Sequence, residues 1–212
     1  MRFEQPFNTI FDNPAKIRIL RFFCRKGGIW SGNRIASEVG INSMTAHRAL
    51  RELRQATLLN VRKIGNSFAY SLRDQHFLVR QILRPLFDQE AKLQDRLSEL
   101  LSGTLQGAGK AKVITVAIYG SVARGKERPT SDIDLLVLVE SEQAKRQIQN
   151  AMDRFCEKAM EEFGNVPTPY VNTLAEARRK IQREVPVFQN ILKEHRVIWG
   201  KPLKEALRGK AA

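Results

Sequence analysis

The chain has 212 residues, 42% hydrophobic and 27% charged, an ordinary globular composition with room for one or two domains. Its 36 Lys and Arg against 22 Asp and Glu leave a formal charge of +14, an excess that favours a polyanionic partner. No stretch approaches the ~20 apolar residues a membrane helix needs, and the opening MRFEQPFNTIF carries Glu4 and no long apolar run, so no membrane association and no signal peptide is expected.

The charge is uneven. Residues 1–80 hold 14 Lys and Arg against 5 Asp and Glu, a net of +9; residues 81–212 hold 22 against 17, a net of +5. The two cysteines, Cys24 and Cys156, lie in apolar helical patterns and are expected as buried free thiols in a reducing cytoplasm.

Phe3 to Ile10 is a short apolar lead-in. Asn13-Pro14 predicts a helix start, with Asn13 as cap and Pro14 at the first helical position. The helix carries Ile17, Ile19, Leu20, Phe22 and Phe23 and stops at Gly27-Gly28. A second helix fits Ser31 to Val39, closing on Gly40. A third runs from about Ser43 to Ala56, with Met44, Ala49, Leu50 and Leu53 facing inward. Leu58 to Ile64 and Ser67 to Leu72 read as strands joined by Gly65-Asn66, a favourable hairpin turn.

This element order over residues 10–75 resembles a winged helix-turn-helix and is similar to many bacterial transcription regulators. The resemblance implies binding to double-stranded DNA. Ser43, Thr45, Ala46, His47 and Arg48 would lie near bases, and Arg51 and Arg54 nearer phosphates or neighbouring acids. Arg62, Lys63, Asn66 and Ser67 would form a basic wing tip. The alternative is an ordinary solvated helix face.

Phe77 to Leu101 is a long amphipathic stretch that Pro85 should kink or restart. It would pack between domains or pair with its copy in a homodimer. GTLQGAG, Gly103 to Gly109, reads as a linker. The expected division is residues 1–75, a connector and linker over 76–109, a second domain over 110–200 and a basic, frayed tail over 201–212.

The second domain is organised by Val113 to Glu140. Two apolar runs flank Gly120-Ser121, a basic loop, and Asp132-Ile133-Asp134. Side chains two apart on a strand share a face, so Asp132 and Asp134 should converge while Ile133, Leu135 and Val137 face a core. Burying two unpaired carboxylates is costly, and Mg²⁺ takes oxygen ligands beside water and phosphate. Arg124, Lys126 and Arg128 could neutralise phosphate or pair with Asp132 and Asp134. Ser131 could cap the turn or touch phosphate.

Gly120-Ser121, ten residues, then Asp132-x-Asp134 resembles the signature of the minimal nucleotidyltransferases of the DNA polymerase-beta superfamily. The whole block GSVARGKERPTSDIDLLV is similar, and the resemblance covers roughly residues 105–200. It implies a small mixed sheet flanked by helices, with Gly120, Ser121, Arg124 and Ser131 at the nucleotide and Asp132 and Asp134 as catalytic residues holding Mg²⁺. A helix starting at Ser121 would offer its N-terminal end to phosphate. ATP is the expected NTP. Active members usually carry a third carboxylate on a neighbouring strand. The next strand, PTPYVN, has none; Asn172 is its closest polar substitute, and Glu161, Glu162 and Glu176 are other candidates.

Beyond that block, Glu142 to Phe163 is a clear helix. Pro167 to Asn172 is a strand, Leu174 to Arg183 a helix, Pro186 starts another, and Val197 to Gly200 is a last strand. Tyr170 and Trp199 read as core or interface residues. The fold class is α+β: an N-terminal winged helix-turn-helix and a C-terminal α/β nucleotidyltransferase-like domain. The leading expectation is a DNA-binding, transcription-regulator-like protein whose second domain binds Mg-nucleotide. The alternative is an active transferase moving NMP from NTP to a hydroxyl, antitoxin-like, with a HEPN-type partner protein. A third is a purely structural dimerisation domain.

Overall fold

The computed structural model describes residues 3–106 and 113–208. Gly107 to Gly109 of the expected linker lies outside the described residues. The chain divides into two compact units, Met1–Lys92 and Leu93–Ala212.

In the first unit, helix α1 (Phe7–Ile10) precedes α2 (Pro14–Lys26). The Asn13 side chain accepts from Ala15 N at 2.8 Å, which satisfies a backbone donor at the start of α2. Strand β1 (Trp30–Ser31) leads into α3 (Gly32–Val39), capped by Ser31 and ended by the left-handed Gly40. Helix α4 (Ser43–Gln55) is capped by Asn42, whose side chain accepts from Thr45 N at 2.8 Å. Strands β2 (Leu59–Ile64) and β3 (Ser67–Leu72) form the hairpin, and β1 adds to it in the order β1-β3-β2. Ile19, Leu20, Phe23, Ile35, Leu50, Leu53 and Leu58 fill the core. Lys16 is buried with them, its ammonium donating to Thr9 O at 2.8 Å and pairing with Asp12 and Glu52 at 2.9 and 2.7 Å.

Met44 points the other way from the inward position expected of it and is 84% exposed. It is the second residue of α4, a quarter-turn or more from the Ala46–Ala49–Leu50–Leu53 stripe that the core selects. The amphipathic stretch is three pieces. Val79–Leu83 is wound as a π-helix, α5 (Arg84–Ala91) holds Pro85 in its first turn, and α6 (Leu93–Gln106) belongs to the second unit. Proline cannot donate to the preceding turn, which accounts for the restart at Arg84. Gly103 to Gln106 is therefore helix rather than linker, with Leu101, Thr104 and Leu105 buried.

The second unit is a mixed four-stranded sheet in the order β6-β5-β4-β7. Strand β4 (Val113–Tyr119) runs into a single helical turn, α7 (Gly120–Ala123), and the basic loop leads to β5 (Ile133–Val139). Helix α8 (Glu142–Phe163) crosses to β6 (Pro167–Thr173), which pairs parallel to β5. Helices α9 (Leu174–Gln182) and α10 (Pro186–Lys193) precede β7 (His195–Gly200), which closes antiparallel on β4, and α11 (Leu203–Leu207) follows.

Both faces of this sheet are covered. Ile133, Leu135, Val137 and Val139 meet α6 and α8 on one face; Leu136 and Leu138 meet α9, α10 and α11 on the other. That explains why β5 reads as a continuous apolar run rather than an alternation. The tail is not frayed over 203–207, because Leu203 and Ala206 are buried in the second of these clusters. Cys24 is buried and Cys156 half-buried, and both are free.

Candidate nucleotide site and candidate nucleic-acid interface

The parity of β5 sends Asp132 and Asp134 to the face opposite Ile133 and Leu135. Asp132 is exposed just before the strand, and Asp134 is half-buried on it. Asp134 lies against Gly120: a Cβ added there would come within 2.1 Å of Asp134 Oδ2. Gly120 also has φ 71°, a left-handed conformation that glycine takes without penalty. One residue thus makes the turn out of β4 and leaves room for the carboxylate.

The register continues this row across the sheet. Asp134 pairs with Thr168 on β6, Ile118 pairs with Leu135, and Tyr119 pairs with His195 on β7. Thr168, Asp134, Tyr119 and His195 therefore lie along one end of the sheet. Tyr119, Thr168 and His195 carried no motif signal; only strand register brings them in. Burial, then the charge of Asp132, pushes the Asp134 carboxyl above its ordinary range, while Arg124 pulls it back. Burial, with Asp134 and Tyr170 nearby, also raises the Tyr119 phenol.

The loop before Asp132 is pinned. Asn165 Nδ2 donates to Pro129 O and Ser131 O at 3.2 and 2.9 Å, and Ile133 N donates to Val166 O at 3.0 Å. Ser131 Oγ accepts from Arg128 N at 2.9 Å, closing the turn that the sequence offered as one of its two roles. Arg124 pairs with neither aspartate; its Nη1 lies 3.5 Å from Glu194 Oε2. The half-buried Ser121 lies in α7, which begins at Gly120 and has four residues, too short to develop the axial dipole expected of a helix there.

Among the described residues no third carboxylate joins the pair. Asn172 pairs with Leu138, four residues along β6 from Thr168, or about 13 Å at the ~3.3 Å rise of a strand. It is buried and accepts from Lys180 Nζ at 2.5 Å. Glu162 is held by Arg96 Nε at 2.5 Å. Glu176 caps α9 and pairs with Lys145 at 2.9 Å. Glu161 is exposed near the end of α8. Among the described residues no group of three or more His, Cys, Asp or Glu could hold a metal. Asp134, its proton affinity raised by burial and by the neighbouring Asp132 charge, fits together with Asp132 one divalent cation completed by water and phosphate.

Residues 97–198, from α6 to β7, match the family described as "Nucleotidyltransferase domain". This part of the chain is a nucleotidyltransferase domain. Such a domain implies a nucleotide substrate and a divalent metal in general. The chain is 29% identical over 135 residues, 64% of its length, to the bifunctional uridylyltransferase/uridylyl-removing enzyme of three Pseudomonas putida strains. It spans 14% of the length of those relatives. A solved structure titled "Crystal structure of the toxin-antitoxin with AMP-PNP" aligns with a TM-score of 0.36 and 16% identity, over 54% of this chain and 77% of that one.

Outside the nucleotidyltransferase domain, the candidate nucleic-acid residues separate by burial. Ala46 is fully buried in α4, on the stripe that packs the core, and cannot reach a base. Ser43 Oγ donates to Asn33 Oδ1 at 2.7 Å. His47 is exposed but seated over Gly32, where an added Cβ would meet its Cε1 at 2.6 Å. Thr45 is half-buried, while Arg48 and Arg51 are exposed, with Arg48 Nε 3.2 Å from Glu52. Arg62, Lys63, Asn66 and Ser67 are exposed on the hairpin. Among the described residues no helix is long and apolar enough to cross a membrane.

Proposed function

We propose that the chain transfers a nucleoside monophosphate from an NTP to a hydroxyl acceptor, with Asp132 and Asp134 holding Mg²⁺ and Gly120, Ser121 and Arg124 meeting the phosphates. The carrying observation is the Asp134 carboxylate against Gly120 at the end of the sheet, inside a nucleotidyltransferase domain. Bound Mg²⁺ supplies charge neutralisation at the phosphates and polarises the reacting phosphoryl group. This chain's residues orient the nucleotide: Gly120 leaves space beside Asp134, and the Asn165 anchor fixes the approach of Asp132.

The test is calorimetric titration of Mg-ATP and Mg-UTP into wild type and an Asp132→Asn/Asp134→Asn variant. UTP is included because the relatives are named for uridylyl transfer. Saturable binding that the variant loses, followed by label transfer from NTP to a hydroxyl acceptor such as a HEPN-type partner protein, supports the reading. No binding of any NTP by wild type overturns it.

A second reading concerns the first unit, a winged helix-turn-helix that binds double-stranded DNA. Its support is the exposed Arg48, Arg51, Arg62 and Lys63 in a half carrying +9. Phosphate contacts release counterions, so affinity should fall steeply with salt. Duplex retardation unchanged by Arg48→Ala with Arg62→Ala would remove this reading.

A further inference from the structure

Cations from the loop after α7 and from the turn between α10 and β7 meet at one end of the sheet. Ala123, Arg124, Lys126, Lys193, Glu194 and His195 line a cleft of about 320 Å³, at the small end of ligand sites, which run about 300–1,000 Å³. That volume suits a polyphosphate rather than a whole nucleoside. His195 is placed here by pairing with Tyr119, in the same end row as Asp134. The Cα positions of His195 and Asp134 are two strands apart, roughly 10 Å at the ~4.8 Å strand spacing. A phosphoryl group held at the aspartates can therefore direct its outer phosphates into the cleft.

The ring orientation of His195 is fixed. Nδ1 lies 2.8 Å from Ile191 O. A carbonyl oxygen only accepts, so Nδ1 carries its proton. Nε2 is left for the cleft. The charged and titratable groups beside it are Arg124 and Lys126 from the loop, Lys193 and Glu194 next to it in the chain, and Tyr119 across on β4, while Arg196, the next residue along β7, alternates to the other face. Arg124 is already paired with Glu194. In the imidazolium form both ring nitrogens donate, so Nδ1–H keeps its bond to Ile191 O while Nε2–H faces the cleft.

We propose that His195 is the leaving-group residue of the transfer reaction, donating the Nε2 proton to pyrophosphate as it departs into the Arg124–Lys126–Lys193 cleft. The inference rests on the transferase reading. The acceptor oxygen forms a bond to the α-phosphorus as the bond from that phosphorus to the α,β-bridging oxygen breaks. The electron pair stays on the bridging oxygen, which takes the proton from Nε2. The acceptor's hydroxyl proton passes to solvent water, and solvent reprotonates His195. Stabilising the leaving group in this way lowers the charge the aspartate pair must manage without a third carboxylate.

Two variants separate the roles of the ring. His195→Asn keeps a donor near Ile191 O and removes Nε2. His195→Gln keeps a neutral donor near the Nε2 position. Thermal unfolding checks that each is folded. Rates are compared with NTP and with β,γ-methylene and β,γ-difluoromethylene NTP, whose leaving groups differ in acidity. General acid catalysis is worth about 10²–10⁴-fold. His195→Asn should therefore lose about that factor with NTP, more with the methylene compound and less with the difluoromethylene compound. A loss equal across all three nucleotides overturns the proposal.

Calorimetry with inorganic pyrophosphate and Mg²⁺ supplies a readout that needs no acceptor. Wild type should bind, His195→Asn should bind at least fivefold more weakly, and His195→Gln should recover part of the loss. Pyrophosphate affinity unchanged in His195→Asn, or no binding by wild type, also overturns it. His195-dependent pyrophosphate binding beside no transfer to any acceptor overturns the transferase reading and the proton-donor role together, while leaving the His195 contact in place.

Discussion

Gly120→Ala tests the link between backbone and carboxylate. An alanine at φ 71° sits in the left-handed region at about 1–2 kcal/mol. Its methyl carbon would also lie 2.1 Å from Asp134 Oδ2 and 3.1 Å from Asp134 Cγ. The carboxylate is the free end of a short side chain, so it turns aside rather than unfolding the strand. Stability should therefore fall by the backbone cost alone, while Mg-nucleotide affinity falls tenfold or more, about 1.4 kcal/mol.

The control is Gly125→Ala. Gly125 has φ 62°, with nothing within 4 Å of an added Cβ, so it pays a similar backbone cost of about 1–2 kcal/mol and keeps its affinity. The chain has two tryptophans, Trp30 in the first unit and Trp199 in the second. A Trp30→Phe background makes Trp199 the reporter of urea unfolding for the second unit. Equal Mg-nucleotide affinity in the two alanine variants would refute the claim that Gly120 exists to seat Asp134. Unfolding midpoints unchanged in both would refute the backbone argument.

Gly200→Ala should be worse for stability, because its Cβ would meet backbone, Ile114 O at 2.2 Å, at φ 82°. Backbone cost and overpacking together predict a loss of about 2–4 kcal/mol in the same urea assay. Leu203→Ala should cost about 2–4 kcal/mol, since Leu203 is 1% exposed; a change near zero would restore the frayed-tail expectation. Hydrogen bonding from Arg21 holds the Glu90 carboxyl below its ordinary 4.5. A carboxyl lowered by folding contributes stability above that value and loses it as pH falls through the folded value. Wild type should therefore lose unfolding midpoint between about pH 5 and pH 3, and Glu90→Gln should be about 1 kcal/mol less stable at neutral pH with a shallower acid dependence.

The aspartate pair works against stability in the opposite sense. Asp134 is held above its ordinary value by burial and by Asp132, so in the absence of a cation the fold is favoured by its protonation, and that contribution is lost as pH rises through the raised value. Asp134→Asn should then raise the apo unfolding midpoint of the second unit while abolishing Mg-nucleotide binding. The same repulsion that destabilises the apo domain is what a bound divalent cation relieves.

What the sequence determined by itself was local. Asn13-Pro14, Ser31 with Gly40, and the turn Gly65-Asn66 set their boundaries within a residue or two, because caps and turns are decided by the side chain at that position and its immediate neighbours. The period of two put Asp132 and Asp134 on one face with Ile133 and Leu135 on the other, and the tertiary structure did not alter that. Tertiary structure decided whatever depends on pairing between distant segments. It turned Met44 outward and Ala46 inward, since a helix has several apolar positions but only one stripe that meets the core. It spent Glu162 and Glu176 on Arg96 and Lys145, and set Asn172 far from Asp134. It also drew Thr168, Tyr119 and His195 into line with Asp134. Strand register is fixed by side chains packing across the sheet, and that information is spread over residues far apart in the chain.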